Sequence, residues 1–220
     1  MVIKIKQTSC KQCGVCCKQG GPALHLQDLE LVKSGTIPIS HLLTIRKGEL
    51  VDNPLVGKIV PTTVELVKII GKSGQWECCF YNAELGCTVY AQRPLACRTL
   101  KCWDTAKILA LVENDTLSRF DILGKKDPIL AHIVDHERIC PCHDLGELRT
   151  NVAYLSDSRK EELEQRIRRD LDFRGKITGE RGLTVGEELF YFGRPLFQLL
   201  QPFGLQLSES PGGIRFTWHT

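Results

Sequence analysis

Cysteine falls in three tight groups along this 220-residue chain, and that grouping limits how the chain can fold more than any other feature. Cys10, Cys13, Cys16 and Cys17 form one run, Cys-Lys-Gln-Cys-Gly-Val-Cys-Cys. Cys78, Cys79, Cys87, Cys97 and Cys102 form a second group, and Cys140 with Cys142 a third. Thiolates are soft, negative ligands, and at short spacing they select zinc, copper(I) or iron–sulfur clusters. The expected fold is therefore α+β, mostly helical with small hairpins, around an irregular cysteine-rich core organised by metal.

A disulfide framework explains the groups less well. A chain of this length buries roughly 70% of its unfolded surface and needs no crosslinks merely to fold. Eleven is an odd number, so at least one thiol stays outside any full pairing scheme. The opening Met-Val-Ile-Lys-Ile-Lys lacks the apolar run of a signal peptide, and no stretch is long and apolar enough to span a bilayer. These features predict a cytoplasmic protein without a membrane partner, in a compartment where grouped thiols mean metal or redox chemistry. The formal charge of +3 is small and its basic residues are interspersed with acidic ones, so nucleic acid is not an expected partner.

Pattern divides the chain into residues 1–145, a cysteine-cluster metal-binding domain, and residues 146–220, a helical segment with a terminal hairpin packed on the same domain. Val2–Lys6 alternates like a short strand. His25–Lys33 reads as a helix stopped by Ser34-Gly35, and Thr36–Thr63 is mixed, broken by Pro38, Pro54 and Pro61. Val64–Tyr81 predicts a hairpin around Gly-Lys-Ser-Gly. A period of two would place Trp76, Cys78 and Phe80 inward and turn Cys79 away. Cys87–Tyr90 reads as another short strand. Arg93-Pro94 opens a helical turn, Asp104 caps a helix over Thr105–Glu113, and Asp127-Pro128 opens one running to about Ile139. From Ser156 to Phe173 a charged helix carries a narrow apolar stripe, Leu163, Ile167 and Leu171, read as the packed side of a surface helix. Leu205–Trp218 alternates around Pro211-Gly-Gly as a closing hairpin.

Cys10-x-x-Cys13-x-x-Cys16 matches the first three ligands of a bacterial ferredoxin run. Gly14 can take the left-handed backbone that such a curl requires. The fourth local ligand would fall at Gly20, which has no side chain, so it must come from Cys17 or from the second group. Tetrahedral zinc is the alternative, and spacing alone does not separate the two. In the third group, His132, His136 and Cys140 recur at i, i+4 and i+8, followed by Cys142 and His143. That pattern can chelate zinc, yet Asp135, Glu137 and Arg138 around it favour an ordinary solvated face.

The run Cys-x-x-Cys-Gly-x-Cys-Cys, then Trp76-Glu-Cys-Cys-Phe-Tyr81, then Gly86-Cys-Thr-Val-Tyr-Ala-Gln-Arg-Pro-Leu-Ala-Cys-Arg98, resembles the YkgJ-type cysteine-cluster family of zinc- or iron-chelating domains, which includes flagellin lysine N-methylase. The resemblance covers roughly Cys10 to Asp104. It implies that the family's cysteines fall on Cys10, Cys13, Cys16, Cys17, Cys78, Cys87 and Cys97, with Cys102 as an extra ligand close behind. The family's usual proline after the Cys78 position is here Cys79, which sets Cys79 outside the expected ligand set. Arg93 and Arg98 belong to the motif. Beside a cofactor they would offset thiolate charge and raise a cluster's potential, and in the plainer reading they form ion pairs that hold the loop. Tyr90 is expected to pack in the core.

The expected cofactor is an iron–sulfur cluster of the 4Fe-4S type, with zinc as the alternative. The expected partner is an unidentified protein or redox partner, and no catalytic residue is assigned. Lysine methylation-like chemistry follows from the resemblance alone. The chain has no Gly-x-Gly-x-x-Gly and no radical-type Cys-x-x-x-Cys-x-x-Cys. The competing expectation is a non-enzymatic zinc-binding structural or interaction module. A thiol–disulfide switch fits poorly, because Cys16–Cys17 and Cys140–Cys142 are too close in the chain for easy pairing.

Overall fold

Turn-forming residues cut the first half of the chain into short pieces. The protein, described here by a computed structural model, is defined over residues 7–72, 76–142, 145, 148, 155–211 and 213–219. The expected strand at Val2–Lys6 lies outside these. Along the chain run α1 (Val15–Lys18), α2 (Leu29–Lys33), β1 (Leu42–Ile45), β2 (Leu50–Asn53), β3 (Lys58–Pro61), β4 (Leu66–Ile69), β5 (Tyr81–Asn82), β6 (Gly86–Cys87), α3 (Leu95–Thr99), α4 (Ala106–Leu109) and α5 (Arg119–Ile122). The second half is more regular: α6 (Ile129–Ile139), α7 (Asp157–Arg181), α8 (Val185–Phe192), α9 (Leu196–Leu200), β7 (Leu205–Ser210) and β8 (Gly213–Trp218). The described strands pair antiparallel, β1 with β4, β2 with β3, β5 with β6 and β7 with β8. The fold is α+β with small hairpins. Among the described residues no helix is long and apolar enough to cross a membrane.

The hairpin expected over Val64–Tyr81 does not form as a ladder. β4 pairs with β1 instead, Leu42 opposite Ile69 and Ile45 opposite Leu66. Among the described residues the two arms meet at a single antiparallel bridge, Gly71 with Cys78, where Lys72 N–H donates to the Glu77 carbonyl (2.8 Å) and Cys79 N–H to that of Ile70 (3.1 Å). The N–H of Cys78 goes to the carbonyl of Cys17 (2.8 Å), so this arm spends a backbone donor on the first cysteine run. Strand alternation consequently fails. Cys78 is buried, but Trp76 is 75% exposed and Tyr81 is the aromatic that goes inside. The helix expected over Thr105–Glu113 is cut to Ala106–Leu109, because Glu113 and Asp115 take positive φ. Beyond β6 the expected strand gives way to a 3-10 turn at Tyr90–Gln92.

Two apolar clusters fill the interior. One gathers Leu24, Ile37, Leu42, Val67 and Ile69 with Ile129, Ile133, Ile177, Phe190 and Phe192. The other gathers Cys140, Cys142, Leu145, Leu148, Leu163, Ile167, Leu196, Leu199, Leu200 and Leu205. Helix α7 serves both. Its buried residues are Leu163, Ile167, Asp170, Arg174 and Ile177, a 4-3-4-3 spacing that keeps one face inward. Two charged residues thus stand in the middle of an otherwise apolar stripe.

Those charges belong to a buried polar network. Arg174 Nε donates to Asp170 (2.8 Å), and its Nη atoms bond Glu188 and the carbonyls of Phe192, Gly193 and Arg194. Arg119 bridges Glu65 (2.6 Å) and Glu137 (2.7 Å). Arg46 lies near Glu49 and Glu137, and Arg194 pairs with Glu49 (2.8 Å). Each buried cation therefore has an acidic neighbour, as desolvation demands.

Candidate metal centre

The first cysteine run curls back on itself at Gly14. That residue takes φ 75° at the start of α1, and a Cβ there would collide with the Tyr81 ring. Glycine is required on both counts. α1 buries none of its residues, so apolar packing does little to hold it. The contacts that do hold it are Gly14 against Tyr81 and the Cys78 N–H to Cys17 carbonyl bond. These two contacts bring the first group against the second.

Within the second group, β5 and β6 place Tyr81 opposite Cys87, and Thr88 N–H donates to the Phe80 carbonyl (2.8 Å). Cys97 rides on α3, whose start is pinned by a residue that sequence reasoning missed. Asp28, fully buried, accepts the N–H of Leu95 (2.7 Å) and that of His25 (3.0 Å) and lies 3.9 Å from Arg98 Nη2. The only sequence signal for Asp28 is its position three residues after His25, the spacing of a capping box.

The thiols of Cys16, Cys17, Cys78, Cys87 and Cys97 sit within electrostatic reach of one another. Burial first, and then the neighbouring thiols, push Cys17 and Cys97 up to about 12. Burial raises Cys87 as well, although Arg93 works the other way. Cys78 is the exception, held down to about 7 by a hydrogen bond from Cys79, with Lys68 and Lys72 assisting. Cys79 is raised, chiefly because its proton is engaged by Cys78. Like charges this close cannot all ionise unaided. A cation among them would let the protons leave, which is how metal binding and thiol ionisation are linked. The donor set is all sulfur, and it fits a soft or borderline metal.

Cys10, Cys13 and Cys102 are exposed. Gln7 Nε2 lies 3.9 Å from the Cys102 sulfur, beside an open cavity of about 490 Å³ lined by Gln7, Thr8, Lys101, Trp103 and Asp104. Arg93 stacks on Tyr90, its guanidinium carbon 3.7 Å from the ring centre, so Tyr90 is half-buried under a cation and not in the core. Arg98 is half-exposed and its acidic neighbour is Asp28.

In the third group the expected His132–His136 pair separates. His132 is half-buried and bonded to Arg181 Nη2 (3.0 Å), while His136 is fully buried against Asp170 Oδ1 (2.6 Å). The solvated-face reading therefore fails for His136. His143 lies outside the described residues.

A family described as "CxxCxxCC: Putative zinc- or iron-chelating domain" matches residues 9–118, half of the chain. The chain belongs to this family, and its cysteine cluster is accordingly a site for metal binding. No curated protein and no solved structure matches it.

Proposed function

We propose that the sulfur cluster holds an iron–sulfur centre of the 4Fe-4S type and serves redox chemistry with a protein partner. Cys16, Cys17, Cys78, Cys87 and Cys97 form the heart of the donor set, and Cys10, Cys13 and Cys102 complete it. One observation carries the reading: five thiols from separated segments lie in mutual electrostatic reach with no histidine among them. The ferredoxin-like spacing Cys10-x-x-Cys13-x-x-Cys16 and an all-sulfur donor set favour a cluster over a single zinc ion. The surrounding cations support the same reading. Lys68, Lys72 and Arg93 stand where they offset thiolate charge, which raises a cluster's reduction potential. Arg98 steadies α3 through Asp28. When bound, the cluster would supply one-electron chemistry, and this chain's own residues would tune it and limit its contact with water.

The experiment is anaerobic purification of the full chain, followed by iron, sulfide and zinc analysis and an absorption spectrum. Iron and inorganic sulfide in near-equal amounts, with broad visible absorption, are expected. Colourless protein with zinc in the sulfur cluster would replace this reading with that of a zinc-organised structural module.

A further inference from the structure

We propose that His136, Cys140 and Asp170 form a second metal site, for a borderline divalent cation of the zinc class, separate from the cysteine cluster. All three lie beyond residue 118, where the family match ends. Their ligand atoms lie within 4.8 Å of one another, and each residue is fully buried. Nitrogen, sulfur and oxygen together are donors that zinc accepts readily.

The three come from two elements of the fold. His136 sits in the last turn of α6, and Cys140 caps that helix one turn later. Asp170 projects from the middle of α7. Each is also held from behind. Asp170 Oδ2 accepts the Leu196 N–H (2.8 Å) and Oδ1 the Arg174 Nε–H (2.8 Å), while the Cys140 carbonyl accepts from Arg46 Nη1 (2.7 Å). Outer hydrogen bonds of this kind fix the orientation of metal-binding side chains.

Packing also fixes the orientation of the His136 ring toward Asp170. The His136 ring is packed between Phe173 and Phe192, with Nε2 against Asp170 and Nδ1 buried without a partner. Because Asp170 accepts, Nε2 carries the proton and Nδ1 is a bare lone pair in a dry interior. A metal on Nε2 would move the ring proton to Nδ1, and the proton released would come from Cys140. One dication, one thiolate, one carboxylate and a neutral imidazole sum to zero, one positive charge more than the unloaded site carries, and Glu188, Glu49 and Glu137, which face Arg174 and Arg46, offset it. A surface cavity of about 330 Å³ is lined by Glu137, Pro141 and Cys142, chain neighbours of His136 and Cys140.

The test is metal analysis of the full chain, purified anaerobically, beside Cys140→Ser and His136→Gln. Each variant is expected to lose one equivalent of zinc per chain, with iron and sulfide unchanged. Cobalt supplied in place of zinc should give a thiolate charge-transfer band that Cys140→Ser lacks. Should either variant fail to fold, zinc-edge X-ray absorption of the unaltered protein decides. A shell mixing sulfur with nitrogen or oxygen supports the site, whereas no zinc, or an all-sulfur shell, overturns it. Unchanged zinc in both folded variants also overturns it, leaving His136–Asp170 as a structural hydrogen bond. Iron and sulfide report the cysteine cluster independently, so the two readings fail separately.

Discussion

Cys78 and Cys79 are neighbours in the chain with opposite environments. Cys78 is buried beside Lys68 and Lys72 and accepts a hydrogen bond from the Cys79 thiol, which favours its thiolate. Cys79 is half-buried and acts as the donor. A thiolate is the metal ligand, so the two should answer differently to the same substitution. Cys79→Ser keeps an O–H donor, and metal content per chain should stay at the unaltered level. Cys78→Ser removes a sulfur from the middle of the cluster and should lower it clearly. Plasma emission analysis of the two purified variants checks this, and the opposite ranking would mean that Cys79 is the ligand. At this scale the sequence was readable where one residue type has one use. Gly14 is an example, since the curl of the run demands its backbone. Asp28 was opaque, because its value depends on the Leu95 N–H arriving from 67 residues away.

Helix α7 shows what pattern can and cannot convey about an element. Its charged run and its apolar positions Leu163 and Ile167 were legible, and the helix forms with that face buried. Its continuation was not legible, because the stripe runs on through Asp170 and Arg174, which look like surface residues until a partner is known. Arg174 reaches the carbonyls that end α8, groups left without helical partners, and so joins two helices. Replacing it by Leu leaves the buried Asp170 carboxylate without its cation and those carbonyls without their donor, and should cost about 3–5 kcal/mol. Glu162→Gln, which removes an exposed partner of Arg159 and Arg166 on the same helix, should cost under about 1 kcal/mol. Chemical denaturation of both variants tests the contrast, and equal losses would deny Arg174 its joining role. The β4 arm failed as a hairpin for a related reason. β1, hidden among prolines, offered a complete edge, whereas the Cys78 N–H was already committed to Cys17.

Across the whole molecule, the two ends of the stability scale lie in different places. The two apolar clusters hold β1, β4 and α6 to α9, together with the β7 end of the closing hairpin. The first cysteine run has little such support: Cys17 packs against the first cluster, but α1 buries none of its residues and Cys10 and Cys13 are exposed. A segment with few buried apolar contacts opens at low free-energy cost unless something else holds it. Coordination is that something: a metal tied to sulfurs from both groups closes the loop between residues 17 and 78 and adds its binding free energy to folding. Stripping the metal with a chelator under reducing, anaerobic conditions should therefore raise amide exchange in residues 7–20 and 86–104. Exchange in β1, β4 and β7 should change little. Hydrogen–deuterium exchange read by mass spectrometry distinguishes the outcomes. Uniform loss of protection would mean that the metal supports the whole fold, and no change would mean that the cysteine run is held by protein contacts alone.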